Sequence, residues 1–236
     1  MKYNIGNYII DKLRHDYIKA SFAKHKFGGQ LLDLGCGRKP YQDIYDHYMD
    51  SSLGIDVEQT LHKNDKIDKF YDGKNIPFDD GTFDFILCTE VLEHLEHPAK
   101  MIGEMHRVLK KDGVILVTTP FFQILHETPY DFYRYTPFAL KSLVEEGGFE
   151  LNSITGFSGV MGFFITSLIR YPLKVLNKIS KLLHFKAFYS IYNPLVLILI
   201  ILPQYFYLLF ARNTTGKKVF SKKTCKGYAV IAQKHS

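Results

Sequence analysis

The chain has 236 residues, 46% of them hydrophobic and 23% charged, which is enough for one elaborated domain and too apolar for a disordered chain. Its three cysteines, Cys36, Cys88 and Cys225, are odd in number and far apart, which excludes a disulfide framework or zinc-finger spacing and suits a reducing compartment. No acidic residue follows Glu150, so residues 151–236 carry +12 of a total +6 and residues 1–150 carry −6, an asymmetry that points to an anionic partner. The first sixteen residues lack the continuous apolar core of a signal peptide, so export is not expected.

In chain order, residues 5–25 read as a helix, with Ile9, Ile10, Leu13, Tyr17, Ile18 and Phe22 near helical spacing. "QLLDLG" is a short apolar run that stops at glycine, a first strand, and a helix follows through "PYQDIYDHYM". "SLGID", "KIDKFYD" and "TFDFILCT" read as the second, third and fourth strands. Residues 97–110 form an amphipathic helix with Pro98 in its first turn, and "GVILVTTP" is a fifth strand apolar enough to be buried on both faces. Residues 136–147 make a further helix, opened by Thr136 as cap and Pro137 as first residue and closed by glycines. "FELNSITGF" and "GYAVIAQK" are the last two strands. This alternation implies an α/β fold, with a parallel sheet covered by helices on both faces and a ligand at the carboxyl ends of its strands.

Three carboxylates fall at those ends. Asp33 closes the first strand, with Gly35 and Gly37 in the turn after it, where a Cβ would keep the backbone from a ligand. A dinucleotide fingerprint needs a third glycine where the chain has Pro40, and no Walker lysine pattern occurs, so the turn suits a cofactor without a pyrophosphate. Asp56 ends the second strand and is placed to accept ribose hydroxyls while repelling a 2′-phosphate. Asp72 follows the third and is placed to accept an exocyclic adenine amine. A cationic sulfonium gains from such surroundings, since opposite unit charges about 4 Å apart attract by about 4 kcal/mol at an effective dielectric near 20.

"LLDLGCG", "LGIDVE", "PFDDGTFD" and "EVLEHL", in that order, resemble the class I methyltransferases that use S-adenosylmethionine, within the broad group that includes ubiquinone and menaquinone methyltransferases. The similarity covers roughly residues 30–157 and the last strand. It implies a Rossmann-like sheet of seven strands, the last antiparallel and inserted between the fifth and sixth. It also implies a cofactor site in which Asp33, Gly35, Cys36 and Gly37 hold the methionine end and Asp56 with Val57 the ribose. Asp72 and Gly73 would take the adenine edge, and the backbone from Cys88 to Glu90 would line the sulfonium.

On the acceptor side, a base is needed only if the acceptor loses a proton at or before attack. His94, four residues after Glu90, and His126 are the candidates. "HETPYDFYRYTP" resembles a pattern of methyltransferases found with glycan-assembly enzymes. Its Tyr130, Asp131, Tyr133 and Arg134 are expected to contact substrate, as aromatics interleaved with polar groups make a sugar platform, although Asp131 and Arg134 also read as a local ion pair that fixes the loop. The histidines look scattered along the chain, and no metal is expected.

The methyltransferase domain is thus placed at residues 1–157 and 224–236, and residues 158–223 are an apolar and basic helical insertion between strands six and seven. Residues 168–186 set Arg170, Lys174, Lys178 and Lys181 at helical spacing and Leu173, Leu176, Ile179 and Leu183 on a different face, an interfacial pattern. "NPLVLILIILPQYFYLLFARN" is more apolar still, but Pro194 and Pro203 interrupt it. Both flanking strands belong to one sheet, so one crossing of a membrane is excluded. Basic residues at both ends, Lys186 and Arg212, favour both staying cytoplasmic. The expected protein therefore sits peripherally or monotopically on the inner face of the membrane, against anionic lipid, and acts on a lipid-linked or membrane-proximal acceptor of glycan or isoprenoid type, by O-methylation. The alternatives are a soluble small-molecule acceptor with the insertion as a homodimer interface, and a non-catalytic membrane scaffold. The tail is too apolar to track the phosphates of a nucleic acid.

Overall fold

The computed structural model describes residues 8–25, 28–58, 65–157 and 225–235. The insertion at 158–223 lies outside the described residues, and so do the helix and the apolar run expected within it. Among the described residues, no helix is long and apolar enough to cross a membrane.

The elements in chain order are α1 (Tyr8–His25), β1 (Gln30–Leu34), α2 (Gln42–Tyr48), β2 (Ser51–Val57), β3 (Lys69–Tyr71), β4 (Phe83–Thr89), a 3-10 turn (Leu92–His94), α3 (Pro98–Val108), β5 (Leu109–Pro120), α4 (Pro137–Glu146), β6 (Phe149–Phe157) and β7 (Gly227–Lys234). The strands form one seven-stranded sheet in the order β3-β2-β1-β4-β5-β7-β6. β1 to β5 pair in parallel, and β7 runs antiparallel to both of its neighbours, as the sequence leads one to expect.

Period-two alternation along the central strands builds two cores. On one face Leu31, Phe85, Leu87, Leu116 and Ile231 pack with Ile18 and Phe22 of α1 and with Ile44 and Tyr45 of α2. On the other, Leu32, Leu34, Ile86, Ile115, Val117 and Val230 meet Met101, Ile102 and Met105 of α3 and Leu140 and Val144 of α4. A strand buried on both faces has no polar position to reveal its period, which is why β5 reads as an unbroken apolar run. Thr136 caps α4 as expected, its hydroxyl accepting from the Ala139 amide at 3.1 Å.

Two elements differ from the sequence reading. The helix expected over 97–110 ends at Val108, because Leu109 joins the sheet opposite Phe83 and the ladder resumes only at Val114 opposite Phe85, with Asp112 at a φ of 63° in the irregularity between. The chain after β4 is a 3-10 turn entered through Glu90 at a φ of 56°, so Glu90 and His94 do not share an α-helical face.

Candidate active site

Strand order reverses between β1 and β4, and the crevice beyond their carboxyl ends is where open sheets of this kind bind ligands. Every expected cofactor residue is at or just past the end of β1, β2, β3 or β4. Gly35 turns the chain at a φ of 68°, a conformation that favours glycine, and a Cβ there would stand 2.3 Å from Val91 Cγ2. The amides of Gly35 and Cys36 both donate to the Ile55 carbonyl, at 2.9 and 3.0 Å. Asp56 braces the same turn: its Oδ2 accepts from Gly37 N at 2.9 Å and its Oδ1 from Val57 N at 2.7 Å. The acid expected at the ribose therefore also fixes the glycine turn.

Asp33 is buried at the centre of this crevice. Burial lifts its carboxyl to about 7, against the pull of a hydrogen bond from the Tyr45 hydroxyl at 3.1 Å and of Lys39, with Asp56 and Asp68 pushing the same way as burial. A buried acid held that high gains from a cationic ligand, which a sulfonium with its α-ammonium supplies. Burial likewise raises the thiols of Cys36 and Cys88, which remain protonated packing groups. Asp72, by contrast, is exposed and closes its own turn, accepting from the Lys74 and Asn75 amides and the Asn75 side chain, and these bonds lower its pKa. Gly73 beside it has a φ of 74°.

Sequence reasoning did not single out several groups here. Tyr45 lies in the helix expected after the glycine turn, and its hydroxyl is the donor to Asp33. Lys39 is buried and pairs with Asp68 at 2.5 Å, while Asp68 also accepts from Gly54 N. A Cβ at Gly54 would meet Lys39 Cε at 2.3 Å, so the glycine of "LGID" is the space the lysine stem fills. Arg14 of α1 reaches Glu90 at 2.6 Å and Asp11 at 2.8 Å, and Glu90 in turn accepts from the Thr118 hydroxyl at 3.0 Å. Arg14→Ala is expected to lower unfolding free energy by about 2 kcal/mol in urea denaturation, since it leaves Glu90 and buried Glu93 without their nearest guanidinium; Glu90 is part-exposed, which keeps the loss below that of a wholly buried pair.

On the acceptor side the structure brings together what the sequence scatters. His94 and His126 lie ring to ring, with centroids 4.8 Å apart, and Glu93 completes the group. His94 Nδ1 donates to the Tyr130 carbonyl at 2.5 Å, which leaves Nε2 facing Glu93 at 3.7 Å and Glu127 at 3.9 Å. Asp131 is buried and takes a bidentate pair from Arg134 at 2.6 and 2.7 Å, and these bonds hold its carboxyl far below the usual range. Arg134 also donates to the carbonyls of Gln123, Ile124 and Tyr133. Asp131 and Arg134 thus form the local ion pair that the sequence also offers, and it ties the loop to its own carbonyls. What the loop offers outward is the rings of Tyr130 and Tyr133, 59% and 39% exposed, with Tyr133 anchored through its hydroxyl to the Glu96 carbonyl.

A family model described as a methyltransferase domain matches residues 32–117, the span that carries β1 to β5 and the glycine turn. A ubiquinone biosynthesis O-methyltransferase from Nitrosococcus oceani is 26% identical over 182 residues, covering 62% of this chain and 73% of its own length. Another of the same name from Pasteurella multocida is 30% identical over 135 residues, covering 47% and 53%. The crystal structure of a SAM-dependent methyltransferase from Archaeoglobus fulgidus superposes with a TM-score of 0.54 at 17% identity, covering 95% of this chain and 97% of that one, a likeness that establishes the fold. A switch-point crevice with a left-handed glycine turn, a buried acid that gains from a cation and an aspartate bracing the turn coincides with the matched span, so residues 32–117 carry a methyltransferase domain and the chain is similar to S-adenosylmethionine-dependent methyltransferases.

Proposed function

We propose that this enzyme transfers the cofactor's methyl group to an oxygen of a lipid-linked or membrane-proximal acceptor, of glycan or isoprenoid type, while docked peripherally or monotopically on the cytoplasmic face of the membrane. The observation that carries this reading is where the insertion leaves and re-enters the sheet. Phe157 ends β6 and pairs with Gly227 at the start of β7, which also pairs with Pro120 at the end of β5. β6 runs parallel to β5, so the chain leaves β6 at Phe157 and enters β7 at Gly227 on the side of the sheet where the cofactor crevice opens. The loop after β5 adds Leu125, Tyr130 and Phe132 to that edge, all exposed. Exposed apolar side chains at that edge, in a chain whose residues 151–236 are basic and acid-free in sequence, suit an anionic lipid surface better than bulk water. Two relatives of 26% and 30% identity carry the name ubiquinone biosynthesis O-methyltransferase, which supports an oxygen acceptor of isoprenoid type.

Methyl transfer is an in-line displacement in which positioning does much of the work. The crevice residues hold the cofactor, the aromatic loop holds the acceptor, and the His94–His126 pair lies where an acceptor hydroxyl proton would be handled. The test is transfer from isotopically labelled S-adenosylmethionine into a host-cell extract split into organic and aqueous phases. Label in the organic phase, lost when residues 160–211 are replaced by a short turn, is the expected result. Label only in the aqueous phase overturns the lipid acceptor and favours a soluble one, with the insertion as a homodimer seam.

A further inference from the structure

We propose that Glu93, His94 and His126 form a binding site for one divalent first-row transition metal ion. Each side chain offers one ligand atom, and the three atoms lie within 4.8 Å of one another. Bonds of about 2.1 Å in a tetrahedral site set ligand atoms about 3.4 Å apart, so the site closes on an ion by movements of about 1 Å.

The independent observation is the state of Glu93. It is 0% exposed, and neither carboxylate oxygen has a hydrogen-bond partner, although its backbone carbonyl holds the amides of Phe132 and Tyr133. Buried carboxylates are ordinarily paired or bound to a metal. Arg14 and Arg134, the guanidinium groups whose charge acts on it, pair with other acids, Glu90, Asp11 and Asp131. Glu93 is thus an acid without a bonded cation, aimed at an imidazole nitrogen 3.7 Å away.

One of the two histidines, His94, is prepared in the manner of a metal ligand. A ligating imidazole characteristically donates its other ring N–H to a carbonyl or a carboxylate, which fixes the tautomer and raises the basicity of the ligating nitrogen. His94 Nδ1 donates to the Tyr130 carbonyl at 2.5 Å. His126 is held by its backbone amide, which donates to Asp131 Oδ2 at 2.9 Å, and its Nδ1 lies 3.2 Å from that oxygen and 3.5 Å from Arg134 Nη2. The His94 arrangement leaves its Nε2 as the ligating nitrogen. The "HETPYDFYRYTP" loop thereby acquires a physical purpose: Tyr130, Asp131 and Arg134 orient the two rings. Two imidazoles and a carboxylate suit zinc, manganese or iron(II) better than magnesium or calcium, which prefer oxygen alone.

The role of the ion rests on the methyl-transfer reading, whereas its binding does not. The site lies between the 3-10 turn that follows the cofactor strand β4 and the loop that follows β5. An acceptor hydroxyl that joins the ion as a further ligand has its pKa lowered and releases its proton to solvent. Its oxygen lone pair then forms the O–CH3 bond as the sulfonium C–S bond breaks, and S-adenosylhomocysteine leaves.

The full chain, stripped with chelator, is titrated calorimetrically with Zn2+ and Mn2+, and with Co2+ as a spectroscopic probe. One ion per chain is expected, with the Kd raised at least a hundredfold in Glu93→Gln and in His126→Gln, and at least tenfold in Asp131→Asn. Circular dichroism and S-adenosylmethionine binding are followed in parallel, so that a variant that has lost its fold is replaced by the milder Asp131→Asn as the deciding comparison. Absence of binding in the wild type, or affinity unchanged in His126→Gln and Asp131→Asn, overturns the site. Neither result bears on methyl transfer, and failure of the labelling experiment leaves a measured metal affinity intact.

Discussion

Gly35→Ala is expected to weaken S-adenosylmethionine binding more than a hundredfold and to lower unfolding free energy by about 3 kcal/mol. Two causes act at one atom. A φ of 68° is a left-handed conformation that costs a non-glycine residue about 1–2 kcal/mol, and the new Cβ would stand 2.3 Å from Val91 Cγ2. Relief of that contact moves Val91, the residue between Glu90 and the 3-10 turn, and so disturbs the end of β4 as well as the end of β1. Gly29→Ala is the matched control. It has a φ of 78°, and a Cβ there would meet Asp84 Oδ2 at 2.2 Å, yet it precedes β1 at the opposite edge of the sheet. It should destabilise by a similar amount and leave the cofactor Kd within a few-fold of wild type, as read by denaturant midpoints and calorimetric titration. Equal loss of cofactor binding in both variants would show that instability, and not the approach of the ligand to the glycine turn, causes the effect.

Asp33→Asn is expected to change stability and cofactor affinity in opposite directions at neutral pH. The carboxyl is held at about 7 in the folded chain, chiefly by burial, against about 3.9 in the unfolded one. Between those values the folded state keeps a proton that the unfolded state has released. The associated stability is complete below about pH 4 and is lost as pH rises through 7, an effect on the order of 4 kcal/mol. Asparagine is neutral throughout and removes that decline. Denaturant midpoints at pH 5 and pH 8 should therefore fall less in the variant than in the wild type. Cofactor binding moves the other way. Only ionised Asp33 attracts a cationic ligand, so the advantage of wild type over Asp33→Asn should grow by up to about tenfold per unit as pH rises toward 7 and level off above it. A pH-independent affinity ratio would remove Asp33 from the cationic end of the cofactor.

The two variants probe groups that differ in how they can be found. Glycine just past a strand end and an acid two positions before it are local chemistry, so "LDLGCG" announces them. The environment that makes Asp33 respond to pH is not local: Tyr45 comes from the following helix, Lys39 from the turn, and Asp68 from beyond β2. Likewise "HETPYDFYRYTP" reads as a platform of aromatics around an ion pair, and the ion pair is there. Which ring faces outward, and which atom of Asp131 meets His126, are decided by how the loop folds back over the 3-10 turn, where the amides of Phe132 and Tyr133 find the Glu93 carbonyl.

By itself the sequence determined the order and type of the elements, the antiparallel last strand and the cofactor crevice. The elements follow from short-range signals, apolar period, glycine at strand ends, caps and breakers, read within a few residues, while the antiparallel last strand and the cofactor roles are what the resemblance to class I methyltransferases implies. Only the tertiary structure decided that helix α3 ends at Val108, that Arg14 of the first helix reaches Glu90, and that His94 and His126 meet beside a buried Glu93. The physical reason is the same in each case. Strand pairing claims Leu109 from the helix, and parallel packing brings the loops after β4 and β5 to one edge, so that side chains 32 positions apart in the chain become neighbours. Burial, which no local pattern encodes, then sets the charge those neighbours carry.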